Sequence, residues 1–444
     1  MKSTCSWHIG LVLILLVFAR DVVNAKTLDE LYTLAVQHDA QVRAAEDDLQ
    51  ASRARLDQAN AAFWPQLAFT GNTAFTDQRL SYDGASLPDR TDRFNTHAQN
   101  VQLTQPLVRL ANHAQRGIAK AQVDQYAVQV AAVRMDLLTR LSQAFFDACQ
   151  FDAAVNATQA QIDLAAAEHN ALAARNSSGD AADFEVMLAG AHQAQAEAQQ
   201  TEAQIERAQR INMLTQLTGV DLRMSDLSCF ASSLPDPIGT MDEWLADALA
   251  SSPQVKAKEM AVRVARAQLQ LADGGHWPTL DLVANAGRST QGPTASLDAS
   301  TRNRTESVSL QLSVPLYSGG ALSAKQREAM ALLSKAEADV DAAVTQVHND
   351  VTQAFGNLQV ALAHERSLRL SVKALGLQAE AQRKRLTQGT SKDAEVLAIE
   401  HDLAQAKDDL ARYRGQAMHS YIRLLSAKGQ SSQDGISVTP ASPP

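Results

Sequence analysis

The chain is short of cysteine, of aromatic side chains and of long apolar runs, and each shortage removes a class of protein. Of 444 residues three are Cys, and only Cys149 and Cys229 lie beyond the N-terminal segment. That is too few for a disulfide framework. Aromatics make up 5% of the chain against 45% hydrophobic residues, so much of its apolar character is alanine. Alanine makes good helices and close helix contacts, but a poor globular core. Beyond residue 25 no stretch approaches the ~20 apolar residues of a transmembrane helix. A chain of this kind that crosses a membrane must do so as strands. The formal charge of −9 gives no basic footprint for nucleic acid. No Gly-rich phosphate loop, HExxH, CxxC or nucleophile elbow is present. The eleven His are scattered, none at the i, i+4 spacing of a helical metal site, and Met is not clustered. No catalysis, cofactor or resident metal is expected.

The N-terminus does carry a signal. MKSTCSWHIGLVLILLVFARDVVNA has Lys2, an apolar run from Ile9 to Phe18 and small residues at Val23-Asn24-Ala25. This reads as a secretory signal over 1–25, cleaved before Lys26, with no Cys there to take a lipid.

The chain also repeats itself. Thr27–Leu67 aligns with Thr240–Leu280 without a gap, sharing Asp29/Asp242, Glu30/Glu243, Gln41/Gln254, Val42/Val255, Arg53/Arg266, Leu56/Leu269 and the Trp-Pro pairs Trp64-Pro65 and Trp277-Pro278. The match resumes at Pro106-Leu107 and Pro315-Leu316, Phe146 and Phe355, Gly179 and Gly389, Gly219 and Gly429. A unit of ~200 residues is too long for a solenoid repeat, so this is a duplication. The expected units are 26–239 and 240–429, with a flexible tail over 430–444.

Each unit reads as helix, strand, strand, very long helix, turn, helix. Proline ends the first helix because it lacks an N–H and biases the preceding residue toward extended geometry. Strands are expected at about 66–76, 94–107, 279–287 and 305–316, with polar loops at Tyr82–Arg93 and Arg288–Asn303. Ser307–Leu316 alternates most cleanly, with Val308, Leu310, Leu312, Val314 and Leu316 on one face. From about Ser318 to Leu386 there is no proline and only Gly356 and Gly376 after Gly319-Gly320. A helix of that length would reach ~100 Å. Leu137, Leu141, Ala144, Ala148, Phe151 and Val155 keep a 4,3 rhythm, as do Val347, Val351, Ala354, Leu358, Ala361 and Leu368. That rhythm suits a coiled coil or a plain antiparallel hairpin. Strands of about ten residues, apolar on one side, suit a membrane barrel or a half-buried soluble sheet. Four such strands cannot close a barrel in lipid, so spanning strands would require an oligomer, with three chains enough for a pore.

With these features the sequence resembles the TolC-like outer membrane efflux protein family over nearly the whole mature chain. The resemblance rests on the Trp-Pro entering each strand pair, on VPLYSGGALSAK (314–325) at a strand-to-helix junction, and on LTQGTSKDAEVLAIEHDLAQAKDDLARYR (386–414) at a helix turn. It implies an α+β fold in which a homotrimer forms a 12-stranded outer membrane β-barrel continued by a periplasmic α-helical barrel. Shorter segments near each unit's end would form a belt. It further implies passive export of small molecules or polypeptides, driven by an inner membrane pump or ABC transporter and bridged by a periplasmic adaptor (membrane fusion) protein, with outer membrane lipid around the strands.

The expected functional residues lie at the two helix turns of the tube's periplasmic end, SSGDAADFEV (177–186) and QGTSKDAEV (388–396). The family's acidic ring lies six and nine positions beyond the second turn's glycine. Here Glu395 fills the first position and Ala398 the second. Leu386 and Ser391 stand where the family's best-studied gate has Tyr and Arg, so a strictly analogous closed network is not implied. Glu185 is the counterpart of Glu395, with Asp183 and Asp393 two residues before them. These four carboxylates are the candidate aperture, although Asp and Glu in a first turn also simply stabilise the helix dipole. Gly179 and Gly389 mark candidate adaptor contacts, or serve only to let each hairpin reverse. Two other readings stay open: the exit duct of a type I secretion system for a polypeptide, and a periplasmic coiled-coil adaptor or scaffold.

Overall fold

The computed structural model describes residues 25–81, 84, 89–229, 239–294, 298–390 and 392–430. Apart from Ala25 and Gln430, the expected signal segment and C-terminal tail lie outside the described residues.

One element order runs through the chain twice. In the first pass α1 (Leu28–His38) and α2 (Ala40–Ala61) lead into β1 (Gln66–Leu80) and β2 (Arg90–Val108), followed by α3 (Leu110–Ser177) and α4 (Asp183–Thr218). In the second, α5 (Met241–Ser251) and α6 (Pro253–Asp273) lead into β3 (Thr279–Gln291) and β4 (Thr301–Ser313), then α7 (Ala321–Thr387) and α8 (Asp393–Ala427). Helices α3 and α7 have 68 and 67 residues, so each is about 100 Å long. The shorter helices α2 and α4 pack along α3, and α6 and α8 along α7, with α3 also touching α6 and α8 across the repeat boundary. No described helix is both long and apolar enough to cross a membrane.

Three expectations need correction. The first helix of each unit is two helices, broken at Asp39 and at Ser252. The Asp39 carboxylate accepts from the backbone N–H of Gln41 (2.9 Å) and Val42 (3.0 Å), which starts a new helix. At the equivalent break Pro253 takes the first helical position, where its missing N–H costs nothing. Second, all four strands run further toward the hairpin ends than the polar composition suggested. Register pairs carry β1 and β2 to Leu80↔Arg90, and β3 and β4 to Gln291↔Thr301, so β1 reaches the edge of its expected loop and the other three strands run into theirs. Alternation marks a strand only where one face is apolar, and these extensions are polar on both. Third, β4 ends at Ser313, so Val314 and Leu316 stand beyond it. The helical seams hold in their middles, whereas Phe151, Val155 and Leu368 are only half-buried.

Two cores of matched residues hold the helices. In the first, Leu31, Ala35 and Val42 pack on Leu137, Leu141 and Phe146 of α3. In the second, their repeat partners Trp244, Ala248 and Val255 pack on Val347, Val351 and Phe355 of α7. Each core is entered through the same capping box, Thr27 with Glu30 and Thr240 with Glu243, with matching bonds of 3.0 and 3.4 Å. The lone cysteines pair: Cys149 of α3 is bonded to Cys229, in the segment after α4. Lys26 bridges the same segment as a short strand, exchanging backbone bonds with Asp226 and Ser228.

His419 of α8 is half-buried against α3, within 3.1 Å of the Ser142 hydroxyl. That hydroxyl donates to the Thr139 carbonyl (2.9 Å), which leaves Nδ1–H of His419 as the donor to it. Burial first, and the Arg423 charge second, hold the His419 pKa down at about 4 instead of 6.5. Between those values only the unfolded chain takes the proton, so stability falls as pH drops from ~6.5 toward ~4 and is complete above it. The loss approaches about 3 kcal/mol. Urea midpoints measured across this pH range should fall for the parent and flatten for His419→Gln; parallel curves would remove His419 as the cause.

Candidate aperture and sheet surface

The four strands form one antiparallel sheet in the order β1-β2-β3-β4, so β1 and β4 have one edge each without a partner within the chain. Register aligns the apolar residues across all four: Leu67↔Leu103↔Ala284↔Val308, then Phe69↔Val101↔Ala286. Leu280↔Leu312 and Leu282↔Leu310 extend the same face toward the helices. This face is open, with Phe69 68%, Val308 74% and Leu310 65% exposed. The other face carries Gln102, Asn285 and Ser307 in one row and Thr70, Asn100 and Thr305 in the next. It is the more enclosed of the two on β2 and β3. From Leu280 to Ala286 the apolar band measures ~20 Å along the strand. Trp64, Trp277 and Tyr317 are exposed at the strand–helix junctions, as in the aromatic girdle that borders a lipid-facing band.

At the same junction Arg109 grips Asp281 with both ends of its guanidinium, at 2.8 and 2.6 Å. Asp281 is buried, and the pair ties the start of α3 in one repeat to β3 in the other. A bidentate Arg–carboxylate pair fixes both distance and angle, so it sets how helix meets sheet. Sequence reasoning missed it, because nothing in the repeat pattern joins two residues so far apart.

At the far end of the helices the two turns reverse through Gly179 (φ 83°) and Gly389 (φ 71°), both left-handed, with open space around them. In the first turn Asn176 donates to the Asp183 carboxylate (2.9 Å), and Glu185 reaches back to accept from the Ala182 N–H (2.9 Å). Both serve the helix start. In the second turn the Glu395 carboxylate accepts from the Gln382 side chain of α7, at 2.9 Å. The position equivalent to Gln382 in the first repeat is Leu172, which has nothing to donate. Asp183, Asp393 and Glu395 are exposed and Glu185 is half-buried. Ser391 lies outside the described residues.

The turns also differ in charge and in apolarity. Around the first lie Asp180, Asp183 and Glu185 with Arg175; around the second Arg383, Lys384, Arg385 and Lys392 balance Asp393, Glu395 and Glu400. Arg383 is paired with Glu400 at 2.6 Å. Phe184, Met187 and Leu188 are 68%, 76% and 55% exposed at the start of α4, where α8 has Ala394, Leu397 and Ala398. Their i, i+3, i+4 spacing was the available signal for this missed patch. Among the described residues no group of His, Cys, Asp and Glu is placed to hold a metal ion.

Comparison with known proteins matches this architecture in both halves. The family model described as "Outer membrane efflux protein" matches residues 31–220 and again residues 244–430. "Proteases secretion protein PrtF" of Dickeya chrysanthemi is 26% identical over 421 residues, covering 91% of this chain and 88% of that protein. "Alkaline protease secretion protein AprF" of Pseudomonas aeruginosa is 25% identical, covering 96% and 88%. Among solved structures the outer membrane protein VceC of Vibrio cholerae superposes with a TM-score of 0.67 at 20% identity, covering 91% of this chain and 96% of that one.

Proposed function

Since the chain belongs to the outer membrane efflux protein family, and is therefore an outer membrane channel protein and not an enzyme, we propose that it is the homotrimeric exit duct of a type I secretion system, passing a polypeptide across the periplasm and outer membrane. The two halves, 26–239 and 240–429, act as structural repeats. The unpaired outer edges of β1 and β4 carry the trimer reading. An open edge in lipid is not tolerated, and three four-stranded sheets joined edge to edge close into twelve strands with a polar lumen. Leu370 and Leu377, 70% and 62% exposed and seven residues apart on α7, suit a seam against a neighbouring copy.

The cargo reading is supported by two relatives named for protease secretion, aligned over nine-tenths of this chain. Export of small molecules is the second reading, favoured by the efflux description of the family model. Either cargo needs a periplasmic adaptor and an inner membrane pump or ABC transporter. The candidate docking points are the turns at Gly179 and Gly389, where an acidic turn with exposed Phe184 and Met187 alternates with a charge-balanced one. Deleting the chromosomal copy should abolish release of a secreted polypeptide into the medium, if polypeptide is the cargo, and leave drug sensitivity unchanged. The opposite pattern would favour small-molecule efflux.

Glu395 is proposed to line the aperture, with Asp183, Glu185 and Asp393 as helix-start residues around it. Three Glu395 carboxylates about one axis attract cations and repel anions, with a field that weakens as salt rises. Planar-bilayer recordings of the purified trimer should show cation preference that falls several-fold in Glu395→Ala at low salt. Unchanged selectivity would reduce Glu395 to its bond with Gln382.

A further inference from the structure

The continuous apolar band of this face ends at the row Phe69–Val101–Ala286, and three rows beyond it Phe75, 71% exposed, is a lone apolar residue on the same face. The next row on that face is Gly71↔Gln99↔Arg288↔Arg304, and the one after it ends in Thr290↔Arg302. Three guanidinium groups thus stand within two rows on two neighbouring strands. Arg288 and Arg304 are direct cross-strand partners, and Arg302 is the diagonal neighbour of Arg288. Like charges placed opposite one another destabilise a sheet. Glu306, opposite Ala286 in the band's last row, binds Arg304 at 2.6 and 2.9 Å and offsets one of them. Among the described residues no carboxylate lies within ion-pair distance of Arg288 or Arg302, and both are exposed.

Position gives this cluster its meaning. The helices join all four strands at the opposite end, so the arginines lie on the side away from the periplasm, Arg288 and Arg304 ~7 Å and Arg302 ~13 Å beyond the end of the apolar band. We infer that Arg288, Arg302 and Arg304 form a binding site for the phosphorylated headgroup of an outer-leaflet lipid whose acyl chains lie along the Val101–Ala286–Val308 band. The guanidinium fork matches phosphate oxygens bidentately, and two cations that repel each other gain most from a shared dianion. A free phosphate would use only the arginines, whereas a lipid uses the adjacent apolar surface as well. The inference rests on the barrel reading above, because only a lipid-facing sheet brings headgroups to this level.

The test uses the full-length purified protein in detergent, with thermal unfolding followed as lipid is added. The probe is an acylated glucosamine disaccharide bearing two phosphates; its comparisons are the same lipid without phosphates and inorganic phosphate alone. The bisphosphorylated lipid should raise Tm by several degrees, less at high salt, and the other two should not. Arg288→Gln/Arg302→Gln should weaken that binding at least tenfold, and Arg288→Lys/Arg302→Lys should fall between, because lysine keeps charge but loses the fork. An equal shift in the Gln variant, or from inorganic phosphate, overturns the site. Conductance separates this from the pore reading. If channels persist while the lipid effect is absent, the site alone fails; if the lipid effect persists without conductance, the site stands and the pore does not.

Discussion

Cys149→Ser should cost the first repeat about 4–5 kcal/mol, the chain-entropy value for a bond that closes a loop of this span. The two cysteines are 80 residues apart, with Cα atoms 5.7 Å from each other. The loop they close contains all of α4, so the bond holds its far end to the middle of α3. What it secures is a thin layer: Leu222 and Leu227 are buried beneath the segment, and Lys26 adds its backbone bridge. Without the bond only Leu222, Leu227 and the partly buried Val220 and Met224 keep that layer on the core. Hydrogen exchange should therefore rise first over 219–229 and around Lys26, before the long helices open. A reductant should reproduce the effect in the parent and do nothing further in the variant. Exchange over 219–229 that matches the oxidised parent would mean that packing alone secures the layer.

Leu358→Ala should be nearly as damaging, at roughly 3–4 kcal/mol, within the range for a fully buried leucine whose surroundings cannot collapse. Leu358 is 1% exposed on α7 and sits where the repeat alignment, through Phe146 and Phe355, places Cys149 in the first unit. The two halves thus solve one packing problem differently. The first has a covalent link at this point; the second fills it with a side chain that packs among Trp244, Val351, Phe355 and Leu362. Rigid helices on both sides leave no route for relaxation, so the methyls removed become a cavity. The measurement is the denaturant midpoint of the assembled protein, with Leu358→Met as the control that restores volume. A midpoint shifted by less than a quarter of that expected for Leu358→Ala would show that α7 can move to close the gap.

The candidate aperture was legible only in part. The pairing of Gly179 with Gly389, and of Glu185 with Glu395, followed from the repeat, and both glycines reverse a hairpin in the left-handed region. That Gln382 reaches Glu395 did not follow. Gln382 and Leu172 are thirteen residues before the two glutamates on another helix, and their distance depends on how the hairpin closes. The breaks at Asp39 and Ser252 were visible in Asp-Ala-Gln and Ser-Pro-Gln, a capping residue followed by a helix start, but a continuous apolar rhythm hid them. The strand extensions carried no signal at all, since their polar residues on both faces look like loop.

The sequence by itself determined the duplication, the long proline-free helices, the alternating strands and the Trp-Pro boundaries. Each is written in local periodicity or in a residue with one backbone preference. Tertiary structure decided the rest: that Cys149 meets Cys229, that Arg109 of one repeat holds Asp281 of the other, and that Arg288 and Arg304 face each other just beyond the apolar band. Those pairings join residues far apart in the chain. They depend on strand register and helix packing, which a one-residue slip would undo and which no single stretch of sequence encodes.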